Sequence, residues 1–283
     1  MKLYIVGVGL IGGSMMLDLK RIGDFEIIGV DKNEEHLNTA LKNGIIDRKG
    51  SINDISQADR VVLSVDVKSA IELLPSILSS IKENALVWDV GSTKEKLCAM
   101  ISEHPKRNQF LATHPIAGKE NSGPEYAIEG MFADKIQIIC ESYKTRDDLL
   151  EWSKSIFISL GMRLRFMEAK ENDSSMAYVS HLSHISSFML AKTVLETKKI
   201  NNILDLAGSG FESTVRLAKS SPDMWAPIFQ QNRENVIETL DVYIHNLLNF
   251  KQYLIDKDYQ SLHEQMKTTN TLTNILNRIN KNK

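Results

Sequence analysis

The residues of this chain best suited to chemistry lie in Thr113-His114-Pro115-Ile116-Ala117-Gly118-Lys119-Glu120-Asn121-Ser122-Gly123. The segment follows the apolar run Phe110-Leu111-Ala112, which reads as the end of a strand. In an open α/β sheet, carboxyl strand ends face the ligand crevice. An imidazole there, with an ordinary pKa of about 6.5, can accept or donate a proton near neutral pH. Pro115 fixes a backbone angle and is expected to stop a central strand, and Gly118 and Gly123 allow tight turning. Taken alone, the segment fits an exposed loop histidine before a turn equally well. Three further sites carry suitable groups. Ser92 follows the apolar run Leu86–Val90 and either caps the next helix or presents a hydroxyl at a strand end. His181 and His184, with Tyr178, lie on one amphipathic stretch, and histidines three apart share a helix face. No further ligands stand at metal-binding spacing, so no metal is expected. Arg216 follows the break Ala207-Gly208-Ser209-Gly210-Phe211, and its planar fork suits bidentate carboxylate binding.

These groups need a scaffold, and the chain begins with one. Lys2–Val6 is a short apolar run ending in Gly7-Val8-Gly9-Leu10-Ile11-Gly12-Gly13-Ser14, a Gly-x-Gly-x-x-Gly loop before an amphipathic helix, Leu10–Arg21. The first glycine permits the turn, the second lets backbone approach a pyrophosphate, and the third allows helix to pack on strand. The helix start offers N–H groups and the positive end of its dipole to phosphate. A second strand, Glu26–Val30, ends in Asp31, at roughly the ~20-residue spacing of an acid that binds the adenosine ribose. A carboxylate there repels a ribose phosphate, so NAD is favoured over NADP. The expected cofactor-binding residues are Gly7, Gly9, Leu10, Ile11, Gly12, Asp31 and Ser64. Facing such a cofactor, the Ser92 hydroxyl would lie near the nicotinamide.

Alternation continues through a helix at Glu34–Asn43, a strand at Arg60–Val65 and a helix at Lys68–Lys82 with apolar positions at helical spacing. It goes on through the strand Leu86–Val90, a helix from Lys94 to about Ser102, and strands Lys135–Cys140 and Arg163–Met167 around a helix at Arg146–Leu160. This order implies a parallel, doubly wound sheet. Strand signals vanish after Glu168. The remainder reads as long helices at Ser174–Lys198, Glu212–Lys219, Pro222 to about Asp256, and Ser261–Ile279. The fold expected is therefore α/β: a Rossmann-type NAD-binding domain over residues 1–168, then an all-α domain over 169–283 whose wide apolar faces need a partner.

Composition bounds the rest. The formal net charge is −2, which disfavours a general nucleic-acid or membrane-surface binder. Cys98 and Cys140 form no disulfide framework and suit a reducing, cytoplasmic setting. The apolar start is broken by glycines and then charges, so a strand and helix explain it better than a signal peptide.

With these residues in hand, the chain resembles the prephenate/arogenate dehydrogenase family of tyrosine biosynthesis over nearly its full length. The resemblance rests on the glycine loop, Asp89-Val90-Gly91-Ser92-Thr93-Lys94, and His114-Pro115-Ile116-Ala117-Gly118 with Glu120 and Ser122-Gly123. It continues with Ser180-His181-Leu182-Ser183-His184, Gly208-Ser209-Gly210-Phe211 with Arg216, and Ser221-Pro222-Asp223-Met224-Trp225. It implies an NAD-dependent oxidative decarboxylation of prephenate to 4-hydroxyphenylpyruvate in a homodimer joined through the C-terminal helices. By similarity, His114 takes the ring hydroxyl proton, Ser92 holds hydroxyl, imidazole and nicotinamide in register, and Arg216 binds a substrate carboxylate. Glu120, Asp173 and His184 match positions around the substrate pocket, and Trp225 forms its far wall, with a partner subunit as one source. Ser183 and Ser209 depart from the family pattern and leave the substrate side chain open. The rival readings are arogenate as substrate and a non-catalytic NAD-binding sensor.

Overall fold

The computed structural model describes residues 1–119, 121–197 and 205–281. Two compact units divide the chain, Met1–Arg233 and Glu234–Lys283.

The first unit is built on an eight-stranded sheet of order β3-β2-β1-β4-β5-β6-β7-β8. The strands are β1 Lys2–Val6, β2 Glu26–Val30, β3 Arg48–Lys49, β4 Arg60–Leu63, β5 Leu86–Asp89, β6 Phe110–Pro115, β7 Ile136–Cys140 and β8 Arg163–Met167. Helices α1 Leu10–Ile22, α2 Glu34–Lys42, α3 Val67–Ser80, α4 Glu95–Met100 and α5 Asp147–Ser159 connect them. Apolar clusters form on both faces, one around Leu3, Ile5, Trp88, Leu111 and Phe157, the other around Tyr4, Val61, Leu74, Val87 and Phe110. A sheet covered on both faces explains strands that read as continuous apolar runs. Asn33 and Asp66 cap α2 and α3 by accepting backbone N–H bonds, as short polar side chains do at helix starts.

Two details depart from the parallel, proline-terminated pattern. The β6–β7 pair is antiparallel, with His114 opposite Ile138 and Pro115 opposite Gln137. Strand β6 also runs through Pro115 instead of stopping before it. The proline is tolerated because β5 pairs with β6 only at Phe110 and Leu111, so no ladder bond on that side is lost. The extension carries His114 as a strand residue on a rigid element.

After β8 the described residues hold helices only. Helix α6, Ala169–Met176, runs through a π-helical turn, Ala177–His181, into α7, Leu182–Leu195. The helix expected at Ser174–Lys198 thus starts earlier and is locally underwound at the π-helical turn, and its expected last residue lies outside the described residues. Ser209–Val215, a 3₁₀ turn Arg216–Lys219 and the helix Pro222–Gln231 follow. The compact division falls after Arg233, because this helical stretch packs back on the sheet. Ala169 and Met176 join the apolar cluster beneath β6 and β7. Trp225 and Ile228 pack on Val67 of α3, and Gln231 accepts from the Thr93 hydroxyl at 2.7 Å and donates to the Val67 carbonyl at 2.6 Å.

The helix expected to run unbroken from Pro222 to Asp256 divides at Asn232, whose side chain turns inward to the Asp173 carbonyl at 2.7 Å. Its second part, Arg233–Asp256, leads into the second unit, which continues with Tyr259–Thr269 and Thr271–Lys281 in place of one helix at Ser261–Ile279. Ile237, Ile244, Leu248 and Ile255 lie exposed along one stripe of the long helix. No helix among the described residues is long and apolar enough to cross a membrane.

Candidate active site

The glycine loop lies between β1 and α1, at the carboxyl edge. Gly7 has φ +92°, and a Cβ there would sit 2.3 Å from the Ser64 carbonyl oxygen. A Cβ on Gly12 would lie 2.6 Å from the Gly7 carbonyl and 2.8 Å from Ser64 Oγ. These two glycines are required by the protein itself, and Ser64 is the wall they pack against. Gly9 differs: nothing lies within 4 Å of the Cβ position, so its backbone is bare toward the crevice. Helix α1 starts at Leu10 and Ile11 with no side-chain cap, which leaves its first N–H groups for an anion. Asp31 is braced at the end of β2. One carboxylate oxygen accepts from Val8 N–H at 2.8 Å and the other from Asn33 N–H at 2.8 Å. The cradle fits a dinucleotide.

Next to this edge stands His114, 8% exposed. Its Nδ1 lies 3.1 Å from Asn172 Oδ1, and Asn172 Nδ2 donates to the Ser92 carbonyl at 2.9 Å and to Asp173 Oδ1 at 2.8 Å. One amide thus joins both residues singled out in the sequence. Burial lowers the His114 pKa to about 3; the nearby Lys94 ammonium and His181 add to that, and the Asn172 bond opposes it. The ring is therefore neutral at physiological pH. Ser92 does not cap α4: its buried hydroxyl has no partner among the described residues, and no side chain of the loop caps that helix. Asp173 does so from a distance, accepting Lys94 N–H at 2.7 Å and Glu95 N–H at 3.0 Å. A buried hydroxyl with no protein partner is the kind of exception that calls for a ligand or water.

The frame behind His114 is ionic. Lys94 Nζ and the Asp89 carboxylate form a fully buried ion pair. Asp89 also accepts from Gly91 N–H at 3.0 Å and Thr113 N–H at 3.1 Å, and its carbonyl accepts the Thr113 hydroxyl. Strand β5 is thereby fastened to the residue just before His114. Burial pushes the Asp89 carboxyl up, against the Lys94 charge and the N–H donors that favour its ionised form.

The expected substrate residues are distributed unevenly. His184 is half-buried and its ring stacks on Trp225 with centroids 3.5 Å apart; its Nδ1 donates to the Ser180 carbonyl at 3.0 Å. Burial lowers its pKa, partly offset by that carbonyl. Trp225 is buried within its own chain, edge-on to His181 as well, and its Nε1 has no partner among the described residues. Arg216 is exposed on the turn Arg216–Lys219, which is held to α7 by the Ala218 N–H bond to Ser187 Oγ at 3.1 Å. Asp173 is 2% exposed, and its carboxylate accepts from the α4 helix start. Glu120 lies outside the described residues.

Sequence reasoning did not single out Asn172, Asp89, Lys94 or Asn232. Asn232 Nδ2 lies 3.1 Å from His181 Nδ1, and burial lowers the His181 pKa to about 4. The available signal was polarity inside an apolar pattern: Asp89 closes a buried strand and Lys94 follows five residues on, at the expected helix start.

Comparison with known proteins gives a consistent result. The family model described as prephenate dehydrogenase, nucleotide-binding domain, matches residues 15–166. That described as prephenate dehydrogenase, dimerization domain, matches residues 168–268. The prephenate dehydrogenase of Bacillus subtilis (strain 168) is 30% identical over 275 residues, 94% of this chain and 73% of that protein. The prephenate dehydrogenase of Lactococcus lactis subsp. cremoris (strain MG1363) is 31% identical over 89% of this chain and 69% of its own length. The crystal structure of prephenate dehydrogenase from A. aeolicus in complex with hydroxyphenyl propionate and NAD+ aligns with a TM-score of 0.89 at 32% identity, covering 96% of each chain.

Proposed function

Since the chain belongs to the prephenate/arogenate dehydrogenase family, we infer that it is an NAD-dependent prephenate dehydrogenase, forming 4-hydroxyphenylpyruvate and carbon dioxide. The observation that carries the reading is the buried, neutral imidazole of His114, tied through one amide to a serine whose hydroxyl has no partner among the described residues, beside a glycine cradle open at Gly9.

Gly7, Gly9, Leu10, Ile11, Gly12, Asp31 and Ser64 would hold NAD, which would supply a hydride acceptor. The protein's part is positioning and proton handling. His114 accepts the ring hydroxyl proton as hydride leaves the carbon that bears the hydroxyl, giving a ring ketone. Loss of the ring carboxylate as carbon dioxide then returns an electron pair to the ring and places a negative charge on that oxygen. The imidazolium of His114 gives the proton back, and the product is a phenol. The proton is borrowed and returned: prephenate dianion and NAD+ become 4-hydroxyphenylpyruvate anion, carbon dioxide and NADH with no net proton released. A base of low pKa suffices, because the hydroxyl becomes strongly acidic as hydride departs. Positioned proton transfer of this kind is worth about 10²–10⁴-fold. Ser92 supplies its hydroxyl to the substrate oxygen, Arg216 binds a carboxylate, and His184 with Trp225 forms a wall of the substrate pocket. Asp173 serves the pocket indirectly, by holding α4 and Asn172.

Residues 169–283 are read as the substrate-binding and dimerisation region of a cytoplasmic homodimer. The exposed apolar stripe at Ile237, Ile244, Leu248 and Ile255 supports this, since such a face needs cover. The test is NADH formation with prephenate and with arogenate, each with NAD and NADP. Prephenate with NAD is expected to be the best pair. Cofactor binding without turnover of either substrate would replace the enzyme reading with that of a sensor.

A further inference from the structure

Asn172 is fully buried on α6 and makes three polar contacts that together determine which way its amide faces. The Ser92 main-chain oxygen, 2.9 Å from Nδ2, can only accept a hydrogen bond. Asp173 Oδ1, 2.8 Å from Nδ2, already receives the Lys94 N–H at 2.7 Å. Turning the amide over would set oxygen against oxygen at both Ser92 and Asp173, a costly arrangement. The amide oxygen therefore faces His114, where it can only accept. Nδ1 of His114, 3.1 Å away, must carry a hydrogen. A neutral imidazole holds one hydrogen, so Nε2 is bare.

We propose that Asn172 is a positioning residue that fixes the tautomer of His114, leaving Nε2 as the nitrogen that takes the substrate hydroxyl proton. This rests on the reading of His114 as the proton acceptor. In the other tautomer Nε2 would already bear a hydrogen and could only donate to the hydroxyl. The same amide sets ring orientation, because it grips the carbonyl of Ser92 while it grips the ring. The chain's other buried histidine is held in the opposite sense. Asn232 Nδ2 donates to the Asp173 carbonyl at 2.7 Å and points its second hydrogen at His181 Nδ1, 3.1 Å away. Two buried asparagines at the same helical junction thus select opposite tautomers in His114 and His181. The charged and titratable groups around His114 are Lys94 with its partner Asp89, His181, and Asp173 behind Asn172. None of them accepts from Nδ1, so the tautomer depends on Asn172.

The experiment is nitrogen-15 NMR of the full-length protein with labelled histidine, with the His114 signals identified by their loss in His114→Asn. In the wild type, Nδ1 should be protonated and Nε2 bare from neutral pH down to at least pH 5. In Asn172→Leu, which keeps the side-chain volume but not the amide, the two tautomers should mix. Its turnover with prephenate should fall about 10- to 100-fold, the usual loss when an orienting bond behind a reactive histidine is removed, with NAD affinity kept within about twofold. Wild-type protein with the hydrogen on Nε2 overturns the proposal, and that measurement needs no variant to fold. So does an Asn172→Leu protein with an unchanged tautomer or unchanged turnover. Should the protein turn over neither prephenate nor arogenate, the function fails, and the tautomer result still decides the role of Asn172 separately.

Discussion

Alanine at Gly9 and alanine at Gly7 should have opposite consequences, although the two glycines stand two residues apart in one loop. At Gly9 the backbone has φ −96° and ψ −162°, extended values open to any L residue, and the added methyl meets nothing within 4 Å. Replacing glycine at a compatible position stabilises by about 0.4–1 kcal/mol through the unfolded chain. Alanine as a helix cap costs about 0.5–1 kcal/mol more than a capping residue. These offset, so Gly9→Ala should melt within a few degrees of wild type. Its methyl, however, occupies the space where the pyrophosphate approaches the backbone. Overpacking costs about 1–3 kcal/mol, which is roughly a 5- to 160-fold rise in the NAD dissociation constant. At Gly7, φ is +92° and the methyl would sit 2.3 Å from a main-chain oxygen of Ser64. Backbone strain of about 1–3 kcal/mol adds to overpacking of similar size. Against a typical total stability of about 5–15 kcal/mol this is a large loss, worth roughly 4–24 °C in melting temperature for a chain of this size. Thermal melts with calorimetric NAD titration of both variants make the comparison. The reasoning is refuted if Gly9→Ala melts as low as Gly7→Ala, or if Gly9→Ala binds NAD with wild-type affinity.

Three further outcomes follow from the same geometry. His114→Asn should lower turnover about 10²–10⁴-fold and leave NAD affinity unchanged; survival of turnover within a few-fold would remove His114 from the proton path. Arg216→Ala should chiefly raise the Michaelis constant for prephenate, since a bond made equally in ground and transition states affects binding; an unchanged constant would end its assignment to the carboxylate. Stability should fall as pH drops. His114 and His181 have folded pKa values lowered to about 3 and about 4, so between about pH 6.5 and those values the unfolded chain binds protons that the folded chain refuses. The stability they contribute is complete above about pH 6.5 and is lost through that window. Urea melts at pH 7 and pH 5 should show the loss, and His114→Asn should show a smaller one. An equal pH dependence in the variant would mean that His114 is not buried neutral.

The amino-acid sequence by itself determined the dinucleotide cradle and the order of elements. Gly7, Gly9, Gly12 and Asp31 act through backbone shape and local spacing, and a short stretch of chain contains everything that such a motif needs. Most helices and strands through Met167 were legible for the same reason, because periodicity is local; the two-residue β3, Arg48–Lys49, was too short to show any. Tertiary structure decided what neighbours do to each other across long separations. Pro115 stays in β6 because of how far β5 extends, which residue types near Pro115 do not disclose. The helix from Pro222 breaks where Asn232 turns to reach Asp173, some 59 residues back. The neutral state of His114 comes first from burial, then from Lys94 and His181, against the Asn172 bond. The low dielectric around them makes each contact count, and burial arises only once the sheet and helices have packed.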